Sequence, residues 1–124
     1  MKNIFDTEKY ILAVARQDAE ALQGYFAPDA IVRWHDSNEE FTADEYIRAN
    51  CEYPGAWDGE VHRVEEIKDG MVVIAKISSD DITIFVTSFF TLKDGKISRL
   101  DEYYSTCEEV PEWRQKMNIG KPIN

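Results

Sequence analysis

The residues best suited to chemistry lie near the end of the chain, in the stretch Ile97-Ser98-Arg99-Leu100-Asp101-Glu102-Tyr103-Tyr104. Read as a strand, it divides by alternation into two faces. Ile97, Arg99, Asp101 and Tyr103 share one, and Ser98, Leu100, Glu102 and Tyr104 the other. Each face offers one carboxylate and one phenol. A carboxylate in an apolar interior has its pKa raised by lost hydration, which suits a general acid or base near neutral pH. The face with Asp101 and Tyr103 is favoured, because Ile97 then continues a buried row and Arg99 can pair with Asp101. The opposite parity, Glu102 with Tyr104, stays open, since a slip of one residue exchanges the faces. An Arg99–Asp101 pair that merely ties adjacent strands is the competing account.

Other reactive side chains are sparse. His35 and His62 are isolated, and a third metal ligand would have to come from Asp36, Asp58 or Asp101. No helix carries a His-Glu-x-x-His spacing, so no metal is expected. Cys51 and Cys107 have no Cys-x-x-Cys spacing and no activating neighbours, and are read as reduced, mostly buried thiols. No Gly-x-Ser-x-Gly turn, phosphate-cradling loop or dinucleotide glycine pattern occurs, and no cofactor is expected.

The elements that must position these groups belong to one domain, residues 1–124, with 108–124 as a surface-wrapping tail anchored by Trp113 and Ile119. Asp6 or Thr7 caps a first helix with Tyr10, Ile11, Val14 and Ala15 at helical spacing. Asp18 opens a second, short helix that Pro28 closes. A strand runs from Ala30 to His35. Thr42-Ala43-Asp44-Glu45 has capping-box spacing and starts a third helix that ends near Asn50, before the Pro54-Gly55 break. From Glu60 the period becomes two. Asp69-Gly70, Ser78 to Asp81, and Lys93-Asp94-Gly95 then separate four strands. Helices followed by a meander of hairpins predict an α+β fold with helices on one face of an antiparallel sheet.

The charge balance is 14 basic against 24 acidic residues, a net −10. Such a chain repels phosphate backbones and anionic lipid, so neither nucleic acid nor a membrane is expected as a partner. Its longest apolar segment, Ile82 to Leu92, is too short and too polar to span a bilayer. Met1 to Asp6 hold no apolar stretch of signal-peptide length, and a cytoplasmic protein is expected. The acidic runs Asp36 to Glu45 and Glu108 to Glu112 read as solvated faces that hint at neutral or cationic ligands.

Asp18-x3-Leu22 leading to Tyr25-Phe26-Ala27-Pro28-Asp29-Ala30-Ile31-Val32-x-Trp34 resembles the helix-to-strand signature of the nuclear transport factor 2-like superfamily. This group includes the SnoaL-like polyketide cyclases and the ketosteroid isomerases. Phe90-x-Leu92-x-Asp94-Gly95-Lys96-Ile97 followed by Asp101-Glu102-Tyr103-Tyr104 is similar to its final hairpin. The tail, Pro111-Glu112-Trp113-Arg114 and Ile119-Gly120-Lys121-Pro122-Ile123, resembles that of a bacterial subgroup whose members mostly lack an assigned activity. The resemblance implies a strongly curved sheet whose amino-terminal helices enclose a conical cavity, and a homodimer through the sheet face. It implies a pocket rather than a particular reaction.

Residue by residue, the resemblance sets Tyr10 at the position of the isomerases' oxyanion-stabilising tyrosine. Trp34 stands where their catalytic aspartate would be, so that mechanism is absent as such and Trp34 becomes a wall for a flat or apolar ligand. Their second aspartate falls at Thr87 or Ser88. Tyr46, Tyr53 and Trp57 cluster near the implied cavity mouth, with Trp57 the expected ligand contact. The expected function is binding of a small apolar ligand. General acid/base chemistry on an oxygen-bearing substrate would use Asp101, with Tyr10 and Tyr103 as polarising donors. A non-catalytic module of the same fold, binding a ligand or partner, is the alternative.

Overall fold

In the computed structural model, which describes residues 5–124, the Asp6 carboxylate accepts from the Lys9 amide at 3.0 Å. This caps α1 (Thr7–Ala15) and satisfies one of the free amides of its first turn. Tyr10, Ile11, Ala13 and Ala15 form its buried stripe. Asp18 caps α2 (Ala19–Gln23) in the same way, with 3.1 Å to the Ala21 amide. At α3 (Ala43–Cys51) the expected capping box is complete. The Thr42 hydroxyl accepts from the Glu45 amide at 3.2 Å, and the Glu45 carboxylate accepts from the Thr42 amide at 2.9 Å. Met1 to Ile4, part of the leader reading, lie outside the described residues. Among the described residues no helix is long and apolar enough to cross a membrane.

Six strands follow or intervene: β1 (Phe26–Trp34), β2 (Glu39–Thr42), β3 (Asp58–Ile67), β4 (Gly70–Ser78), β5 (Thr83–Lys93) and β6 (Lys96–Thr106). They form one curved, open sheet in the order β2-β1-β6-β5-β4-β3. The β5–β6 connection is a tight turn in which Asp94 and Gly95 take φ of 52° and 77°. Two positive φ values match the twist of the flanking strands, and a glycine and an aspartate tolerate them.

Two features differ from the expectation. The sheet is mixed, because β1 lies parallel to β6 while every other neighbouring pair is antiparallel. The parallel pairing joins segments some seventy residues apart (Val32 against Leu100) and leaves no local turn signal. Pro28 does not end α2, which stops at Gln23; it lies inside β1, where the β1–β6 register breaks between Phe26 and Ile31. A residue without an amide hydrogen is tolerated at such a break. The short strand β2 falls in the acidic run that reads as a solvated face, and three of its four residues are exposed.

The core lies between the inner sheet face and the helices. Val32, Val73, Phe90, Ile97 and Leu100 are essentially inaccessible, and Tyr10 and Leu22 cover them from the helix side. Gly59 on β3 lets α1 lie close to the sheet: a Cβ there would sit 2.9 Å from Ile11 Cγ2 and 3.2 Å from the Ile11 carbonyl oxygen. After β6 the chain carries only the four-residue α4 (Glu112–Gln115). Trp113 and Ile119 stay 64% and 60% exposed, so neither anchors the tail as expected. Both cysteines are free thiols, but Cys51 is only half-buried and Cys107 is exposed just beyond β6, which corrects the expectation that both are mostly buried.

Candidate functional site

The parity of β6 decides which carboxylate enters the interior. In the β5–β6 ladder Leu92 pairs with Ile97 and Thr91 with Arg99, so Ser98 is an extra residue on β6. This bulge resets the alternation. Ile97 is buried as expected, but beyond the bulge the inner row continues as Leu100, Glu102 and Tyr104. Asp101 and Tyr103 therefore occupy the outer face, and the expectation that they point into the cavity is corrected.

Glu102 sits in a row crossing three strands. Its direct neighbours are Trp34 on β1 and Ser88 on β5. The Trp34 indole N–H donates to Glu102 Oε1 at 3.1 Å, and the Tyr104 hydroxyl donates to the same oxygen at 3.0 Å. The Ser88 hydroxyl donates to Oε2 at 2.6 Å. Glu102 is 4% and Ser88 1% exposed. Burial pushes the Glu102 carboxyl above the ordinary range, and the three donors only partly offset it. Ser88 thus holds the carboxylate by its hydroxyl. Thr87 pairs with Ile74 and Tyr103 on the opposite face, away from the cavity.

Tyr10 from α1 and Tyr46 from α3 meet behind this row, with hydroxyl oxygens 3.4 Å apart and both residues 1% exposed. Burial holds each phenol far above its usual pKa, and the Glu102 carboxylate adds to the shift. Burial does the same for Tyr104. All three are therefore neutral hydroxyls at physiological pH. Tyr10 faces the cavity, whereas Tyr46 is not among its lining residues and reaches it through Tyr10.

The cavity measures about 230 Å³. Its lining joins Tyr10, Trp34, Glu102 and Tyr104 with aliphatic side chains, among them Ile11 and Val14 of α1 and Ile77 and Val86 of the sheet. Tyr53 and Trp57 also line it, with their rings 5.5 Å apart; the Trp57 indole donates to the Pro54 carbonyl at 3.1 Å. Gln17 and Asn50, which the sequence reading does not single out, stitch the helices above the cavity. The Gln17 amide donates to the Asn50 carbonyl and the Asn50 amide to the Val14 carbonyl, both at 2.9 Å. Gln17 takes a φ of 58° to make the turn after α1. Two amides thirty-three positions apart carry no pattern that a single sequence would show.

On the outer face Asp101 accepts from Arg99 Nε at 2.8 Å and contacts His35 Nε2 at 2.8 Å. Burial raises its carboxyl, but Arg99 and His35 together outweigh that and hold it below the ordinary value. His35 in turn stacks on Tyr103, with centroids 4.4 Å apart and planes within 7°. The Arg99–Asp101 pair of the competing account is present, but both residues lie on β6, so the pair does not tie adjacent strands; the contact that reaches from β6 to the end of β1 is His35–Asp101. His62 lies 3.8 Å from Glu60. Among the described residues, no group of three His, Cys, Asp or Glu side chains is placed to hold a metal ion.

Comparison with known proteins agrees with this architecture. Residues 7–100 match the family model of the SnoaL-like domain. No curated protein sequence matches the chain. Among solved structures, a provisionally named ketosteroid isomerase from Kribbella flavida superposes with a TM-score of 0.76 at 24% identity, covering 92% of this chain and 85% of its own. An NTF-2 like protein of unknown function from Burkholderia xenovorans gives 0.73 at 22% identity, with 91% and 90% covered. A provisionally named polyketide cyclase from Sinorhizobium meliloti gives 0.62 at 28% identity, with 75% and 88% covered.

Proposed function

Since the chain belongs to the SnoaL-like domain family, we propose that it binds a small, largely apolar molecule in the cavity and exchanges a proton with it through Glu102. The observation that carries this reading is a carboxyl 4% exposed at the wall of a 230 Å³ cavity. Its raised pKa suits proton transfer near neutrality. Tyr10, neutral and lining the cavity, is the phenol that polarises or holds an oxygen of the ligand, since the Tyr104 hydroxyl proton is committed to Glu102. Trp34 fixes Glu102 from one side and offers the ligand an aromatic wall. Reactions of the isomerase, cyclase, dehydratase or hydrolase type all need this kind of proton exchange. Ligand binding without turnover is the second reading, favoured by Trp34 standing where the isomerases carry their base.

Fragment screening by NMR, with the indole N–H signals of Trp34 and Trp57 as reporters, tests the reading. Apolar fragments bearing one polar group shift both signals. A library whose hits all shift only Trp113 overturns it.

We further propose that the outer sheet face pairs with a second copy of the chain. Ile31, Phe89 and Tyr103 are 37%, 40% and 47% exposed there, and the Phe89 and Tyr103 rings meet with centroids 6.0 Å apart. Phe89→Lys is expected to lower the mass measured by light scattering to that of the monomer. An unchanged mass contradicts the pairing.

A further inference from the structure

We infer that the cavity is built for a compact organic cation, an alkylammonium whose positive charge is set against the Glu102 carboxylate and whose apolar shell meets the aromatic walls. The inference rests on the ligand-binding reading above and names the class of ligand.

Glu102 is surrounded by hydrogen-bond donors. The Trp34 indole nitrogen can only donate, and Oε1 already receives both it and the Tyr104 hydroxyl. Ser88 supplies a third hydroxyl, to Oε2. Three donors converging on two oxygens form a set suited to a carboxylate, because hydrogen bonds of this kind favour the charged form. None of the three brings a positive charge. Among the described residues, no Lys, Arg or His lines the cavity. The nearby guanidinium and imidazole, Arg99 and His35, lie on the other side of the sheet and are engaged by Asp101.

Among the described residues, the titratable groups that face Glu102 are all acids: Tyr10 from α1, Tyr46 from α3 and Tyr104 on its own strand, with Asp36 acting on Tyr104. From β1 and β5 it meets only the neutral Trp34 and Ser88. A buried carboxylate provided with donors but, among the described residues, without a counter-ion is disfavoured as an anion. A bound cation supplies the missing charge. Trp34, Tyr104, Tyr10 and Trp57 all line the cavity, and aromatic rings attract an alkylammonium while excluding water from it. Glu102 then sits in its basic form when the ligand is bound, which makes it a base rather than an acid in any subsequent step.

The test compares choline with its neutral isostere 3,3-dimethylbutan-1-ol, titrated calorimetrically into the full chain. Choline is expected to bind at least tenfold more tightly, and its affinity to rise with pH as Glu102 gives up its proton. Glu102→Gln, which preserves size and removes the charge, is expected to abolish that preference; an amide NMR spectrum unchanged outside the cavity reports that the variant is folded. Equal binding of the two probes, or a preference for choline that survives Glu102→Gln, overturns the cation while leaving the cavity reading intact. Binding of neither probe overturns both.

Discussion

At the scale of single residues, Glu102 carries a pH dependence whose sign follows from its environment. Its folded pKa is raised, so the stability it contributes is complete below the unfolded value of about 4.3 and is lost as pH rises through the folded value. Glu102→Gln mimics the protonated form, since its amide can donate to Ser88 while its carbonyl accepts from Trp34 and Tyr104. The difference in Tm between variant and native chain is therefore expected to shift in favour of the variant from about pH 4 to about pH 7. A constant difference contradicts the assignment. Asp101 behaves in the opposite sense. Its pKa is lowered, so its contribution is present above the unfolded aspartate value and disappears as pH falls through the folded one. Asp101→Asn is expected to cost roughly 1 kcal/mol at neutral pH in urea unfolding and to leave probe binding in the cavity unchanged.

Much of the site was legible at this scale, and one step was not. Tyr10 and Trp34, which the resemblance singles out, and Trp57, which the aromatic cluster singles out, line the cavity, and Ser88, one of two positions left open, holds Glu102. The choice between Asp101 and Glu102 turned on Ser98, whose extra place in the ladder is invisible to alternation. A serine is as ordinary in a regular strand as in a bulge. Each parity also offers an apolar residue to bury, Ile97 on one face and Leu100 on the other, and the bulge places both inside.

At the scale of elements, the cavity exists because α1 lies against β3 and is stitched to α3. Gly59 sets that approach. Gly59→Ala is expected to lose about 1–3 kcal/mol in urea unfolding, because the added methyl meets Ile11 and Ala15 at 2.9 and 3.1 Å. A variant as stable as the native chain would show that α1 has room to move. Thr42→Ala removes one half of the α3 capping box and is expected to cost about 1 kcal/mol. The helices and three hairpins were readable because caps and turns are local: Asp6, Asp18, Thr42 and Asp94-Gly95 each announce themselves within four residues. The β1–β6 pairing and the edge strand β2 were not. The first is a contact between distant segments, and the second is a polar ribbon without an apolar period.

At the scale of the whole molecule, the sheet divides two kinds of surface. Its inner face holds the core and the cavity with Glu102; its outer face holds the Arg99–Asp101–His35 cluster and an apolar patch. The apolar tail residues Trp113 and Ile119 belong to neither in this chain. Trp113→Ala is accordingly expected to change unfolding stability by no more than about 0.5 kcal/mol. A larger loss would mean that the tail packs on something.

Direct titration of the Glu102 side-chain carboxyl by ¹³C NMR tests the assignment most simply. A dry site predicts a midpoint above the ordinary glutamate value of about 4.3, moving downward when choline is added. A midpoint at or below that value in the free chain, unmoved by choline, would mean that water reaches this carboxyl freely and that no such chamber surrounds it.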